Sequence, residues 1–131
     1  MNLSRILVVE DELDIQKVIR MSLKARGVRE IMVADDGEEC LAMVEQVQPD
    51  LILLDVSMPK LDGFETCRRL KKNPETRAIP VIFLTASSQR GDEQTGMEAG
   101  ASGYLIKPFD PLTLHEQILA ILGNGKESGP A

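Results

Sequence analysis

Four aliphatic residues in a row, Leu51-Ile52-Leu53-Leu54, stop at the carboxylate of Asp55. An uninterrupted apolar run of this length, closed by turn residues, suits a strand covered on both faces. The residues that follow, Val56-Ser57-Met58-Pro59 and Asp62-Gly63, read as a loop. In an open parallel sheet, ligands bind in the crevice outside the carboxyl ends of the strands. Asp55 is therefore placed where chemistry is done, although taken alone it fits a cap on the following turn equally well.

The rest of the chain repeats the pattern. Arg5-Ile6-Leu7-Val8-Val9 reads as a buried strand ending at Glu10-Asp11-Glu12. Residues 14–26 repeat Ile15, Val18, Ile19 and Leu23 on one helical face, and Gly27 ends the helix. A short strand over 30–34 leads to Asp36 and Glu39, a capping-box pair ahead of Cys40, Leu41, Val44 and Val47. After the strand through Asp55, Phe64, Cys67 and Leu70 mark a third helix. Residues 80–84 form a fourth strand that ends at Thr85. The segment 87–100 reads as a helix with few apolar residues beyond Met97 and Ala99, and it contains Gly91, Gly96 and Gly100. Each interior glycine costs a helix about 1 kcal/mol against alanine, so this element is expected to be weakly anchored and able to move. Residues 103–106 form a short fifth strand ending at Lys107-Pro108. Asp110 and Pro111 predict a helix start with proline at the first helical position, and Leu114, Ile118, Ile121 and Leu122 face the core. From Gly123 onward the chain is polar and glycine-rich. The expectation is one domain over 4–122, with 123–131 a flexible tail or a truncated linker.

Five strands alternating with five helices predict a doubly wound α/β fold, a flavodoxin-like (βα)5 parallel sheet of order 2-1-3-4-5. The length of 131 residues suits one such domain. A net charge of −6 argues against non-specific nucleic-acid binding. No apolar run approaches the roughly 20 residues of a membrane helix, and the first residues show no signal-peptide pattern, so a cytoplasmic location is expected. Cys40 and Cys67 match no metal or redox spacing and read as reduced core cysteines.

In a parallel sheet, Glu10-Asp11, Asp55, Thr85 and Lys107 all reach the same edge. Two like charges about 4 Å apart cost about 4 kcal/mol at an effective dielectric of about 20. Three carboxylates therefore call for protonation or a cation. Hard oxygen ligands suit Mg²⁺, which takes one or two carboxylates together with waters and phosphate. A carboxylate nucleophile, a divalent ion, an ammonium group and a hydroxyl are what phosphoryl transfer to an aspartate requires. Each residue alone has a plainer reading: a solvated turn for Glu10-Asp11, a surface lysine for Lys107, a backbone-bonded strand residue for Thr85. Their joint placement at strand ends outweighs these.

The segments Val8-Val9-Glu10-Asp11-Glu12, Leu53-Leu54-Asp55 through Pro59, Leu84-Thr85-Ala86 and Tyr104-Leu105-Ile106-Lys107-Pro108-Phe109 resemble the receiver domain of two-component response regulators. The resemblance covers residues from about 4 to 122. It implies that Asp55 is the phosphoacceptor and that Lys107 contacts the phosphoryl group. Asp11, Asp55 and the Ser57 carbonyl would hold Mg²⁺, with Glu10 acting through a water. Thr85 and Tyr104 would form a switch pair, and the Lys107–Pro108 bond would be cis. The acidic pair is Glu-Asp where the family often has Asp-Asp, and Gly103 stands where the family often has Asp. The implied activity is a phosphorylation switch that catalyses its own phosphorylation and dephosphorylation. A sensor histidine kinase or a histidine phosphotransfer protein would be the donor, and a downstream protein or output domain the target. A monomer or a phosphorylation-dependent dimer is expected, with no direct contact to nucleic acid or membrane. His115 is expected to be a solvated helix residue and not a phosphoryl donor.

Three other readings share features with this one. A phosphatase of haloacid-dehalogenase type also uses a strand-end aspartate with Mg²⁺, but it carries a second aspartate where this chain has Ser57, and no cap insertion is present. A flavodoxin-type module needs a phosphate loop after the first strand, where Glu10-Asp11-Glu12 would repel phosphate. A receiver used only for protein binding is expected to lack Asp55 or Lys107, and both are present.

Overall fold

A computed structural model describes residues 3–58, 60–86 and 90–127, with the side chains of 90–93 and 124–127 excepted. Pro59, residues 87–89 and residues 128–131, on which parts of the sequence reading fall, lie outside the described residues. Strands and helices alternate as β1 (Arg5–Val9), α1 (Leu13–Ala25), β2 (Glu30–Ala34), α2 (Gly37–Val47), β3 (Leu51–Asp55), α3 (Gly63–Lys72), β4 (Val81–Thr85), α4 (Arg90–Glu98), β5 (Gly103–Ile106) and α5 (Leu114–Glu127). The strands are all parallel, in the order β2-β1-β3-β4-β5 predicted from the sequence.

The pleat sorts the apolar runs onto two faces, because successive side chains point to opposite sides. Ile6, Val8, Leu51, Leu53, Ile82 and Leu84 pack with Ile19 and Leu23 of α1 and with Leu114 and Ile118 of α5. Leu7, Val9, Ile52, Leu54, Val81 and Phe83 pack with Cys40 and Val44 of α2 and with Cys67 and Leu70 of α3. Strand β3 is buried along its whole length, which is why its sequence shows no alternation.

The helix starts follow local chemistry. Asp36 accepts the Glu39 amide at 2.8 Å, and the Glu39 carboxylate reaches back to the Asp35 amide at 3.2 Å, one residue outside a standard capping box. Asp62 caps α3 in the same manner, accepting the Glu65 amide at 2.8 Å.

Several sequence expectations shift. Helix α5 begins at Leu114 and not at Pro111, because Asp110 first closes a tight turn: its side chain accepts the Leu112 amide at 2.9 Å and its carbonyl the Thr113 amide at 3.1 Å. His115 is consequently in the first turn of α5, half-buried. The same helix continues past Gly123 to Glu127; a glycine penalty of about 1 kcal/mol does not by itself end a helix whose earlier turns are packed. Val18 lies at the rim of the α1 stripe and is 37% exposed, and Met97 points outward at 53%. Among the described residues no helix is long and apolar enough to cross a membrane.

Candidate functional site: a charged crevice at the carboxyl edge of the sheet

Pleat parity places the site residues before any side-chain detail is considered. Continuing the alternation along β1, β3 and β5, Glu10, Asp55 and Lys107 extend the rows that run on the α1/α5 side. Thr85 continues the row of Val81 and Phe83, and Tyr104 packs with that opposite cluster. The charged groups thus meet on one side of the edge, and Thr85 and Tyr104 on the other.

The charged side is tightly paired. Lys107 Nζ donates to Glu10 Oε1 at 2.7 Å and lies 3.4 Å from Asp55 Oδ1. Glu10 Oε2 accepts the Glu12 amide at 3.0 Å, and Asp55 Oδ1 accepts the Ser57 amide at 3.2 Å. Glu10 is fully buried and Asp55 only 4% exposed, whereas Asp11 is exposed. Each of the carboxylates of Glu10, Asp11 and Asp55 offers an oxygen within 4.8 Å of the others. Burial drives the carboxyls of Glu10 and Asp55 above their ordinary range, with Lys107 opposing the rise in both cases. Burial alone would lower the Lys107 ammonium, but the Glu10 and Asp55 carboxylates outweigh it and hold its pKa above the usual lysine value. Three clustered oxygen ligands, two of them buried and short of positive charge, fit a small divalent cation.

Backbone contacts hold these groups in place. The Lys107 amide donates to the Thr85 carbonyl at 2.7 Å, so the lysine is carried on the end of β4 as well as on β5. The Lys107–Pro108 peptide is cis, as the family resemblance implied. The loop after Asp55 closes on itself, with the Gly63 amide donating to the Val56 carbonyl at 3.0 Å. A Cβ at Gly63 would stand 2.3 Å from the Asp55 carbonyl oxygen, so only glycine lets α3 start so close to β3.

The other side of the edge contains a gap. Thr85, 5% exposed, lines a cavity of about 10 Å³ together with Val56, Phe83, Gly96, Met97 and Tyr104. That is about the space of one water. Phe83 meets Phe64 edge-on at 5.2 Å and lies against Gly96, where a Cβ would come within 3.0 Å of its ring.

Sequence reasoning thus named Glu10, Asp11, Asp55, Ser57, Thr85, Tyr104 and Lys107; all but Tyr104 gather at one edge, and Tyr104 lies one turn of pleat back on β5, level with Phe83, where it lines the cavity with Thr85. The same reasoning missed Gln16, whose side chain donates to the Glu10 carbonyl and to Asp35, and Ser22, which donates to the Pro111 carbonyl from α1. A polar residue on a helix surface gives no sign of which loop it will reach.

Known proteins are similar to this chain in sequence and in fold. The chain is 42% identical over 121 residues to a probable transcriptional regulator, ycf27, of Cyanophora paradoxa, covering 92% of this chain and 49% of that protein. It spans about half the length of the first curated relatives it matches. Among solved structures it is similar to the Vibrio cholerae chemotaxis protein CheY4, with a TM-score of 0.84, 31% identity, and coverage of 92% and 99% of the two chains. It is similar also to the receiver domain of sensor histidine kinase PA1611 from Pseudomonas aeruginosa PAO1, with a TM-score of 0.81, 32% identity, and coverage of 93% and 99%. That structure has a magnesium ion coordinated in the active site cleft. The family model for the response regulator receiver domain matches residues 6–119, and with the sheet order and the acidic edge it settles that this chain belongs to the receiver family of two-component systems.

Proposed function

We propose that the chain is a phosphorylation-controlled switch in which Asp55 accepts a phosphoryl group from a phosphohistidine. The donor is a sensor histidine kinase or a histidine phosphotransfer protein. The observation that carries this reading is the buried Asp55 carboxylate, 3.4 Å from the Lys107 ammonium and clustered with two further carboxylates. One Asp55 oxygen attacks phosphorus, the P–N bond breaks, and its electron pair leaves on the imidazole nitrogen. Asp11, Asp55 and the Ser57 carbonyl would hold Mg²⁺, with Glu10 reaching it through a water. When bound, Mg²⁺ supplies positive charge that offsets the carboxylates and the phosphoryl oxygens. Lys107, already poised between Glu10 and Asp55, turns to the phosphoryl oxygens. Water attack on phosphorus, assisted by the same groups, breaks the Asp55 O–P bond and returns Asp55 to its free carboxylate with release of inorganic phosphate.

Thr85 is the link outward. Its hydroxyl can donate to a phosphoryl oxygen, a charge-assisted bond of about 1.5–3 kcal/mol net. Movement of Thr85 toward Asp55 enlarges the cavity it shares with Tyr104, and the Tyr104 ring follows. That coupling is enough to shift an element whose two states differ by a few kcal/mol. The responsive face is α4, β5 and α5, which would engage a downstream protein or an output domain, as a monomer or as a phosphorylation-dependent dimer in the cytoplasm.

The test is labelling with acetyl phosphate, and then with a phosphorylated kinase, followed by intact mass. One phosphoryl group is expected on the unsubstituted chain with Mg²⁺, and none after chelation or in Asp55→Asn. Asp11→Ala is expected to weaken Mg²⁺ binding by at least the 10–100-fold seen when a ligand's outer partner is lost. Undiminished labelling of Asp55→Asn, or labelling indifferent to chelation, overturns the reading.

A further inference from the structure

We infer that Gln16 is the positioning residue for the acidic pair, fixing the peptide that joins Glu10 to Asp11. This inference rests on the metal-site reading above and deepens it. Strand β1 ends at Val9, yet the Glu10 amide still pairs with the Ala34 carbonyl at 3.1 Å. The Glu10 carbonyl points the other way, and Gln16 Nε2 donates to it at 2.5 Å. The Glu10 carboxylate is fixed from a third direction, by the Glu12 amide and by Lys107. With its amide, carbonyl and side chain all held, Glu10 has a defined peptide plane on its carboxyl side. That plane fixes the Asp11 Cα and the N–Cα axis about which its side chain turns, and the Glu12 amide, held by Glu10 Oε2, limits the turn from the other side of Asp11. Asp11 is the exposed member of the cluster and has no buried packing to aim it, so its direction depends on this peptide.

Gln16 is itself held. It sits in the first turns of α1, and its Nε2 also lies 3.3 Å from Asp35 Oδ1, at the end of β2. The Asp35 amide in turn donates to Glu39 of α2 at 3.2 Å. The amide side chain therefore bridges α1, the end of β2 and the acidic loop. A ligand kept close to its productive direction loses less freedom when the cation arrives, which is how outer partners raise metal affinity.

The experiment uses the ¹⁵N-labelled full chain. Without metal, the ¹⁵N resonance of Asp11 reads the hydrogen bond to the Glu10 carbonyl. Gln16→Met removes the donor at nearly constant length and is expected to displace that resonance, whereas Gln16→Arg keeps N–H donors and is expected to leave it near its original position. Mg²⁺ titration by chemical shift is then expected to show about tenfold weaker binding in Gln16→Met, at the lower end of the range for a lost outer partner. Melting temperatures of the variants report whether the fold is kept; if Gln16→Met does not fold, Gln16→Ala replaces it, alanine being the residue best suited to a helix. A folded donor-less variant with unchanged Mg²⁺ affinity overturns the inference. So does an arginine variant that displaces the Asp11 resonance as far as methionine does. Failure of the unsubstituted chain to bind Mg²⁺ would count against the proposed function, while the metal-free Asp11 resonance would still decide the role of Gln16.

Discussion

Helices α3 and α4 occupy equivalent places, each following a central strand whose last residue belongs to the site, yet they are held in different ways. Helix α3 buries Gly63, Thr66, Cys67 and Leu70 and is capped by Asp62. Its Glu65 pairs with Arg68 and Arg69, and Lys71 donates to the carbonyls of Arg77 and Ile79, at 3.1 Å and 2.6 Å. Helix α4 presents Gly96 to the core, with Ala99 just beyond its end, while Met97 borders the cavity beside Thr85 and is still 53% exposed. The contrast shows how a single sheet edge can be rigid on one side and compliant on the other. The unit after Asp55 fixes the position of the charged groups. Among its described residues, the unit after Thr85 is attached by small ones, Gly96, Ala99 and Ala101, which offer little area to hold it. Regions with few buried apolar contacts open at low free-energy cost, which is what the responsive face proposed above requires.

The comparison breaks most sharply at one apolar side chain from each helix. Leu70, 1% exposed, anchors α3, and Leu70→Ala is expected to cost about 2–5 kcal/mol. Met97→Ala is expected to stay within about 0.5 kcal/mol, as for a surface position. Urea unfolding of both variants measures this directly. Costs of similar size would mean that α4 is as firmly built as α3.

A smaller effect separates the strand ends. Burial raises the Asp55 carboxyl in the folded chain, so the fold binds that proton more tightly than the unfolded chain does. Metal-free stability contributed by this group therefore rises as pH falls through the raised pKa, and is lowest at neutral pH. Asp55→Asn removes the buried charge and leaves Lys107 paired with Glu10. Without divalent ions its melting temperature should exceed that of the unsubstituted chain near neutral pH, and the gain should shrink on acidification. Thr85→Val, which removes no charge, should show no such pH dependence. Melting curves from pH 8 to pH 5 check this, and a gain that grows toward acid would reverse the assignment.

Much of this was legible in the sequence because apolar runs ending in reactive residues leave little freedom. Ile6 to Val9, Leu51 to Leu54 and Val81 to Leu84 suited covered strands, and their alternation with helical segments pointed to the parallel order that forms. Glu10, Asp11, Asp55, Thr85 and Lys107 were legible because they stood at the ends of strands, whereas Ser57 and Tyr104 were named only through the family resemblance. The α4 glycines were read as weak anchorage; of the two apolar residues singled out there, Ala99 is buried and Met97 is not, because an isolated apolar residue does not state its direction. The start of α5 was misplaced because Asp110-Pro111 suits both a helix start and the tight turn that forms. Gln16 was missed because its partners lie in a loop and on another strand, and their approach depends on tertiary packing.

The α3 cap gives a gentler test. Asp62→Ala removes the acceptor for the Glu65 amide and is expected to cost about 1 kcal/mol. Because α3 is fixed by several independent contacts, phosphorylation of Asp55 should be nearly unaffected. A loss of labelling out of proportion to the loss of stability would show that the site depends on α3 being capped and not only on its being packed.

The least effect is expected at the two thiols, and it reports on movement. Cys40 and Cys67 are both buried, and burial pushes their thiols up to about 12 and about 11 respectively. A thiol is alkylated as its thiolate, so neither should react appreciably with iodoacetamide at neutral pH in the folded chain. The two differ in their neighbours. Cys40 lies within the α2 layer, whereas Cys67 Sγ donates to the Ala99 carbonyl at 3.4 Å, beside the end of α4. If α4 shifts when the site is loaded with beryllofluoride, a phosphoryl mimic, that contact is disturbed and Cys67 should react faster while Cys40 does not. Peptide mapping of alkylated protein resolves the two sites. Equal rates in the loaded and unloaded states would place the moving surface away from the α3–α4 seam, and faster reaction at both cysteines would indicate general loosening instead of a displacement confined to α4.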